Sequence, residues 1–191
     1  MTRPAGWTAI IPFKPPGTRK TRLATRLSVQ ERDDLSDTLF RHVAQTLKAT
    51  SGITRIVLLS SARMPGWDGL WLVDEGRGLN AELRHARQSL GAEKLLVIHA
   101  DLPFVTPEDT KSLIAQAESG CAIAPDRHGV GTNALALRDA TGFTFAFGEN
   151  SFRRHIDAAI NRALIVERPG FSLDVDTQAD LDLATSQGLL A

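Results

Sequence analysis

Lys94-Leu-Leu-Val-Ile-His-Ala-Asp-Leu-Pro-Phe-Val-Thr-Pro-Glu-Asp109 reads as one complete structural unit. Leu95 to Ile98 is apolar without interruption, the pattern of a strand covered on both faces, as in a parallel sheet sandwiched between helices. His99, Ala100 and Asp101 then turn the chain polar at the strand's carboxyl end. Thr106 is a helix cap, Pro107 suits the first helical position and acids follow in the first turn, so a helix runs from there to about residue 118. Strand 94–99, polar tip and helix make a βα unit.

The same alternation extends in both directions. Strands are expected at 8–13, 53–60, 70–73, 121–125, 133–137 and 164–167, each rich in apolar or β-branched residues. Between them, Ser28-Val-Gln-Glu31 is a capping box, and Leu35, Leu39, Val43 and Leu47 recur at helical spacing up to a stop near Ser51-Gly52. Further helices are expected at 78–90, closed by Gly91, at 151–162 and at 180–190. The reading is a three-layer α/β/α sandwich with a mostly parallel, Rossmann-like sheet, formed by a single domain over residues 1–191.

Composition narrows the function. Lys plus Arg number 22 and Asp plus Glu 22, so no global field is available to hold a nucleic acid or a membrane surface. No apolar run approaches the roughly 20 residues of a membrane span, and the short apolar stretch before Lys14 is no signal peptide, so the expected location is the cytoplasm. A single cysteine, Cys121, excludes an internal disulfide and a multi-cysteine metal site; Gly120-Cys-Ala-Ile-Ala124 makes it a buried strand residue.

Charge is therefore informative only locally. The first acid of the chain is Glu31, yet Lys14, Arg19, Lys20 and Arg22 precede it, straight after the first strand. Cations at the carboxyl end of a parallel strand suit a polyphosphate, with a solvated loop as the plain alternative. Neither a Walker loop nor a G-x-G-x-x-G fingerprint is present, so side chains would hold the phosphates. Lys20, a point charge, and Arg22, a two-pronged donor, rank first and Lys14 third.

Acids gather elsewhere. Asp101 stands at the tip of the central strand, where an ionised carboxylate needs a partner. In Leu173-Asp-Val-Asp176, extended backbone puts Asp174 and Asp176 on one face and Val175 on the other. Carboxylates drawn together repel, and a hard divalent ion such as Mg²⁺ relieves that repulsion while leaving room for phosphates. Asp180 falls in the first turn of the last helix, where the dipole accounts for it. At Gly78-Leu-Asn80 the glycine permits close approach of a planar group and the Asn80 amide suits a base edge, unless this is an ordinary loop-to-helix junction. Ser151 opens a helix whose first amides form an anion site, or else it is only the cap; Arg154 and His155 follow on a face that solvent exposure explains equally well. His42, His85 and His99 show no metal-ligand spacing and are read as structural. Trp67 and Trp71 fit either the core or a homodimer contact.

In order along the chain stand Ile11-Pro-Phe-Lys14 with Lys20-Thr-Arg-Leu23, Gly78-Leu-Asn80, Ala100-Asp-Leu-Pro103, Pro125-Asp-Arg127 with Gly131-Thr-Asn133, Phe147-Gly148 with Ser151-Phe152, and Leu173-Asp-Val-Asp-Thr177. This set resembles the guanylyltransferases that activate a small phosphorylated three-carbon acid in the assembly of coenzyme F420, the deazaflavin. They are a branch of the nucleotidyltransferases that also includes the molybdopterin guanylyltransferases. The resemblance covers nearly the whole chain; its Ala-Asp-Leu-Pro element alone is shared by many nucleotide-sugar enzymes. It implies that Lys20 and Arg22 hold the phosphates of GTP, with Lys14 beside them, and that Gly78 and Asn80 face the guanosine. It further implies that Asp101, Asp174 and Asp176 bind Mg²⁺, that Thr132, Gly148 and Ser151 receive the acceptor acid, and that the product passes to a downstream transferase of the same pathway. Lys20, Arg22 and Asp101 would carry the catalysis. Glu149-Asn150 departs from the Pro-Gly type turn expected there. The acceptor stays open among phosphoenolpyruvate, 2-phospho-L-lactate and 3-phospho-D-glycerate. The alternatives are a related transferase acting on molybdopterin or a sugar phosphate, a cytidylyl transferase, and a non-catalytic nucleotide-binding module.

Overall fold

Along each central strand alternate side chains go to opposite faces of the sheet, and the two sets are chemically different. The computed structural model describes residues 6–160 and 162–189. Ala9, Ile11, Leu96, Ile98, Ala122, Ala124, Ala134 and Ala136 lie on one face. Ile10, Leu95, Val97, Ile123, Leu135 and Leu137 lie on the other. Alanines at the strands beyond the centre let helices approach closely on the first face, whereas bulky side chains fill the second.

Among the described residues seven strands form one sheet in the order β3-β2-β1-β4-β6-β5-β7. They are β1 (Trp7–Pro12), β2 (Ile53–Ser60), β3 (Leu70–Val73), β4 (Leu95–Ile98), β5 (Cys121–Pro125), β6 (Thr132–Leu137) and β7 (Ala163–Ile165). β6 alone runs against its neighbours β4 and β5. All other pairs are parallel. Helices α1 (Val29–Ala49) and α3 (Pro107–Ala117) cover the first face through Phe40, Val43, Leu47, Leu113 and Ile114. Helices α2 (Leu79–Leu90) and α4 (Ser151–Ala158) cover the second through Leu83, Ala86, Phe152 and Ile156. The short α5 (Pro169–Ser172) precedes α6 (Gln178–Ser186), which packs Leu181 and Ala184 with Leu173 and Val175 against Leu35 and Leu39 of α1.

The expected three layers and mostly parallel sheet are present, and each expected strand and helix appears within a few residues. The Ser28/Glu31 and Thr106/Asp109 capping boxes form, and Thr177 with Asp180 makes another. Two expected helix ends were placed at 162 and 190; the stretches leading to them include residues 161 and 190, which lie outside the described residues. α4 ends at Ala158 and α6 at Ser186. No helix among the described residues is long and apolar enough to cross a membrane. Cys121 is buried, and desolvation pushes its thiol up to about 12, where it is no nucleophile. The two tryptophans divide: Trp67 packs edge-on to Phe40 in the core, while Trp71 on the edge strand β3 is partly exposed.

Candidate functional site

A cleft of about 560 Å³ opens at the carboxyl ends of β1 and β4, where the sheet's strand order branches. Its walls include Lys14, Lys20, Asp101, Asp174, Asp176 and Gly148. Residues from the front and the rear of the chain thus share one surface, and the Lys20 ammonium reaches the Val175 carbonyl 155 positions away.

The basic loop owes its shape to α1. Both carboxylate oxygens of Asp33 accept from the Gly17 amide, at 3.0 and 2.9 Å. Arg19 is buried: its guanidinium lies 4.0 Å from the centre of the Phe13 ring, donates to the Lys14 carbonyl at 2.7 Å and pairs with Asp37. Arg32 donates to the Arg19 carbonyl. Lys20 is thereby held at φ 46°, a left-handed conformation that an L side chain occupies at a cost. Its ammonium points inward, 3.3 Å from Asp101 Oδ2, and donates to the Val175 carbonyl. Its side chain is only 6% exposed.

Asp101 Oδ2 faces that ammonium, while Oδ1 is buried without a hydrogen-bond partner. Asp174 accepts from Asn133 Nδ2 at 3.3 Å; burial first, then the charge of Asp101, raises its carboxyl above the usual range. Val175 is fully buried, so the alternation read in Leu173-Asp-Val-Asp176 is present. The Val175 amide donates to the Asp101 carbonyl, locking the two segments together. Asp176 lies further out, paired with Arg22 at 2.9 Å, with side chains 43% and 71% exposed. Front-end cations and the two acidic segments therefore meet. Among the described residues no three metal-ligand side chains stand together at ligand spacing. A hard cation still fits Asp101 and Asp174, because Asp101 keeps a buried oxygen without a partner and its charge disfavours an ionised Asp174 nearby.

Other expected residues are placed differently. Asn80 is tied across the cleft wall: Nδ2 donates to the Phe147 carbonyl at 3.0 Å and Oδ1 accepts from the Phe147 amide at 2.8 Å, which fixes the plane of its amide. Gly78 starts α2 at φ 88°, with no atom near where a Cβ would stand. Gly148 lines the cleft, but Thr132 and Ser151 are buried, and the Thr132 hydroxyl bonds to His155 Nδ1 at 3.0 Å. Asn150 caps α4 at φ 53°, and the Ser151 and Phe152 amides are committed to the carbonyls of Gly148 and Val130. Two of the amides counted toward an anion site at that helix start are thus spent, and Ser151 is not the cap. Asn150 adopts the left-handed conformation that the glycine of the expected Pro-Gly type turn would supply. His155, read as compatible with an exposed face, is fully buried. Asp180 does more than face the dipole, since it closes its capping box and pairs with Arg127.

Sequence reasoning passed over four contributors. Asn133 donates to the Phe171 carbonyl as well as to Asp174, and so orients the acidic segment. His99, set aside as structural, lines the cleft beside the Phe147 ring. Asp74, at the end of β3, lines it too. Glu82, fully buried, accepts from the Glu75 and Arg77 amides and from the Arg77 guanidinium, shaping the turn that leads to Gly78. Position beside a strand tip was the available signal for His99 and Asp74, and Asn133 stood in the Gly131-Thr-Asn133 element without a role; nothing in the one-dimensional pattern singles out Glu82.

Comparison with known proteins places this geometry. A nucleotidyl transferase from Methanothermobacter superposes with a TM-score of 0.73 at 15% identity over 97% of this chain and 98% of that one, a likeness of fold. A phosphoenolpyruvate guanylyltransferase of Sphaerobacter thermophilus is 38% identical over 189 residues, covering 91% of this chain and 90% of that protein. The phosphoenolpyruvate guanylyltransferase of Rubrobacter xylanophilus is 36% identical over 195 residues, 94% of each. The family model described as "Guanylyl transferase CofC like" matches residues 7–186, and the chain belongs to that family.

Proposed function

We propose that the protein transfers GMP from GTP to the phosphate of a small three-carbon phospho-acid, phosphoenolpyruvate before the others, releasing pyrophosphate in coenzyme F420 biosynthesis. The observation that carries this reading is the meeting of Lys20 with Asp101, beside Asp174, in a cleft at the strand tips. The names of the relatives favour phosphoenolpyruvate over the other two acids.

An acceptor phosphate oxygen forms a bond to the α-phosphorus of GTP as the bond to the bridging oxygen breaks, and the electron pair leaves with pyrophosphate. The acceptor brings its own anionic nucleophile, so no activated side chain is needed. Alignment and charge compensation are what the chain must supply. Lys20 presents its ammonium to the phosphates from a fixed backbone, and Arg22, exposed, swings from Asp176 to the β- and γ-phosphates. Asp101 and Asp174 hold Mg²⁺, with Asp176 at the margin. When bound, that ion offsets the negative charge of the triphosphate. Lys14 flanks the phosphates, Gly78 leaves room for the nucleoside, and Gly148 leaves room for the acceptor.

The test is pyrophosphate release with Mg²⁺, each of GTP, CTP, UTP and ATP, and the three acids in parallel. GTP with phosphoenolpyruvate is expected to be the productive pair. Nucleotide binding with no pyrophosphate from any pair would leave a binding module; CTP or UTP as the productive donor would make it a different transferase.

A further inference from the structure

Residues 143–147 belong to no helix or strand, yet Phe147 and Gly148 form one wall of the cleft. Such a segment has no backbone ladder to set its shape, so its shape must come from side chains. We propose that Asn80 and His155 are positioning residues that together clamp residues 146–148 as the wall against which the acceptor acid is set, and that Asn80 does this in place of reading the nucleotide base. The proposal rests on the transferase reading above.

Three hydrogen bonds reach two consecutive residues. The Asn80 amide takes both polar groups of Phe147, as a paired strand would. The Ala146 amide donates to His155 Nε2 at 3.1 Å. That bond sets the tautomer: Nε2 must offer a lone pair, so the proton of the neutral ring sits on Nδ1 and is donated to the Thr132 hydroxyl. The ring also meets Phe147 edge-on, with centroids 4.6 Å apart. Asn80 comes from the first turn of α2 and His155 from α4, so two elements reach the loop, and Thr132 at the start of β6 holds the His155 ring from behind. Gly148 follows at φ 114°, a conformation other residues rarely adopt, and a loop displaced before it would carry that strained turn away from the cleft. One N–H and one lone pair of the Asn80 amide remain, but turning the amide away from the loop towards a base would cost a Phe147 backbone group its partner.

The experiment measures steady-state pyrophosphate release with GTP and phosphoenolpyruvate for Asn80→Ala, His155→Leu and His155→Gln. Hydrogen exchange at the Ala146 and Phe147 amides is measured on the same proteins without substrate. Expected for Asn80→Ala and His155→Leu is a fall of about 10²-fold in kcat/KM for phosphoenolpyruvate, the scale of an ångström-level misplacement, with the KM for GTP and the rejection of ATP unchanged. His155→Gln, whose carbonyl oxygen replaces Nε2 as acceptor, recovers part of the loss. The two amides, slow to exchange in the wild type, become fast in Asn80→Ala. A raised KM for GTP or acceptance of ATP in Asn80→Ala, with phosphoenolpyruvate kinetics intact, would overturn the proposal in favour of base reading. Fast exchange at both amides in the wild type would overturn it outright. If the wild type releases no pyrophosphate, the transferase reading fails, and the exchange measurement still decides whether the clamp exists.

Discussion

Replacing Asp101 by Asn keeps the shape of the side chain and removes one charge from the centre of the cleft. In the native protein that charge faces the Lys20 ammonium at 3.3 Å, an attraction worth about 1 kcal/mol in water and about 5 kcal/mol at an effective dielectric constant near 20. It also faces Asp174, whose carboxyl it helps to raise. The variant loses the attraction and relieves the repulsion, and Lys20 keeps the Val175 carbonyl, so the opposing terms leave the thermal midpoint within a few degrees of wild type. Turnover has no such compensation. The carboxylate that would share the cation with Asp174 and balance Lys20 is gone, and loss of one preorganised electrostatic group costs about 2.7 to 4 kcal/mol of barrier, or about 10² to 10³ in rate. A coupled pyrophosphate assay with GTP, phosphoenolpyruvate and Mg²⁺ reads the rate, and a melting curve establishes that the variant is folded. A folded Asp101→Asn protein with wild-type pyrophosphate release would refute the placement of the chemistry at this carboxylate.

Arg22→Ala breaks an exposed ion pair, so stability should move by less than about 1 kcal/mol while kcat/KM for GTP drops; equal kinetics at equal stability would remove Arg22 from the phosphate site. Glu82→Ala strips four hydrogen-bond donors of their buried acceptor and should cost about 3 kcal/mol in urea denaturation, with a loss under 1 kcal/mol counting against its role in shaping the turn before Gly78. Burial, helped by the charges of Arg154 and His99, lowers the His155 pKa from 6.5 to about 4. Between those values the unfolded chain binds a proton that the folded one refuses, so stability should fall as the pH drops from 6.5 towards 4. The advantage of wild type over His155→Gln in urea midpoint should shrink steadily as the pH is lowered from about 7 towards 4; identical slopes with pH in the two proteins would contradict it.

Much of this was legible because it is local. Unbroken apolar character at 95–98 marks a central strand, and Ser28/Glu31 and Thr106/Asp109 mark helix starts, since caps and periodicity act over a few residues. Cations after β1 and acids after β4 were equally visible, because parallel strands deliver their carboxyl ends to one edge of the sheet. The reversed β6 was not visible, as strand direction leaves no mark on an apolar run.

What only the folded chain decided is the orientation and commitment of polar groups. Sequence alone put Lys20 in the basic loop after the first strand and Asp101 at the tip of the central strand, and set Asp174 and Asp176 on one face of an extended segment. It could not determine that Asn80 spends its amide on Phe147, that Thr132 and His155 face each other in the interior, or that Asp176 turns outward to Arg22. A hydrogen bond needs its partner within about 3 Å, and those partners lie 67, 23 and 154 residues away, at distances the tertiary packing alone brings to contact.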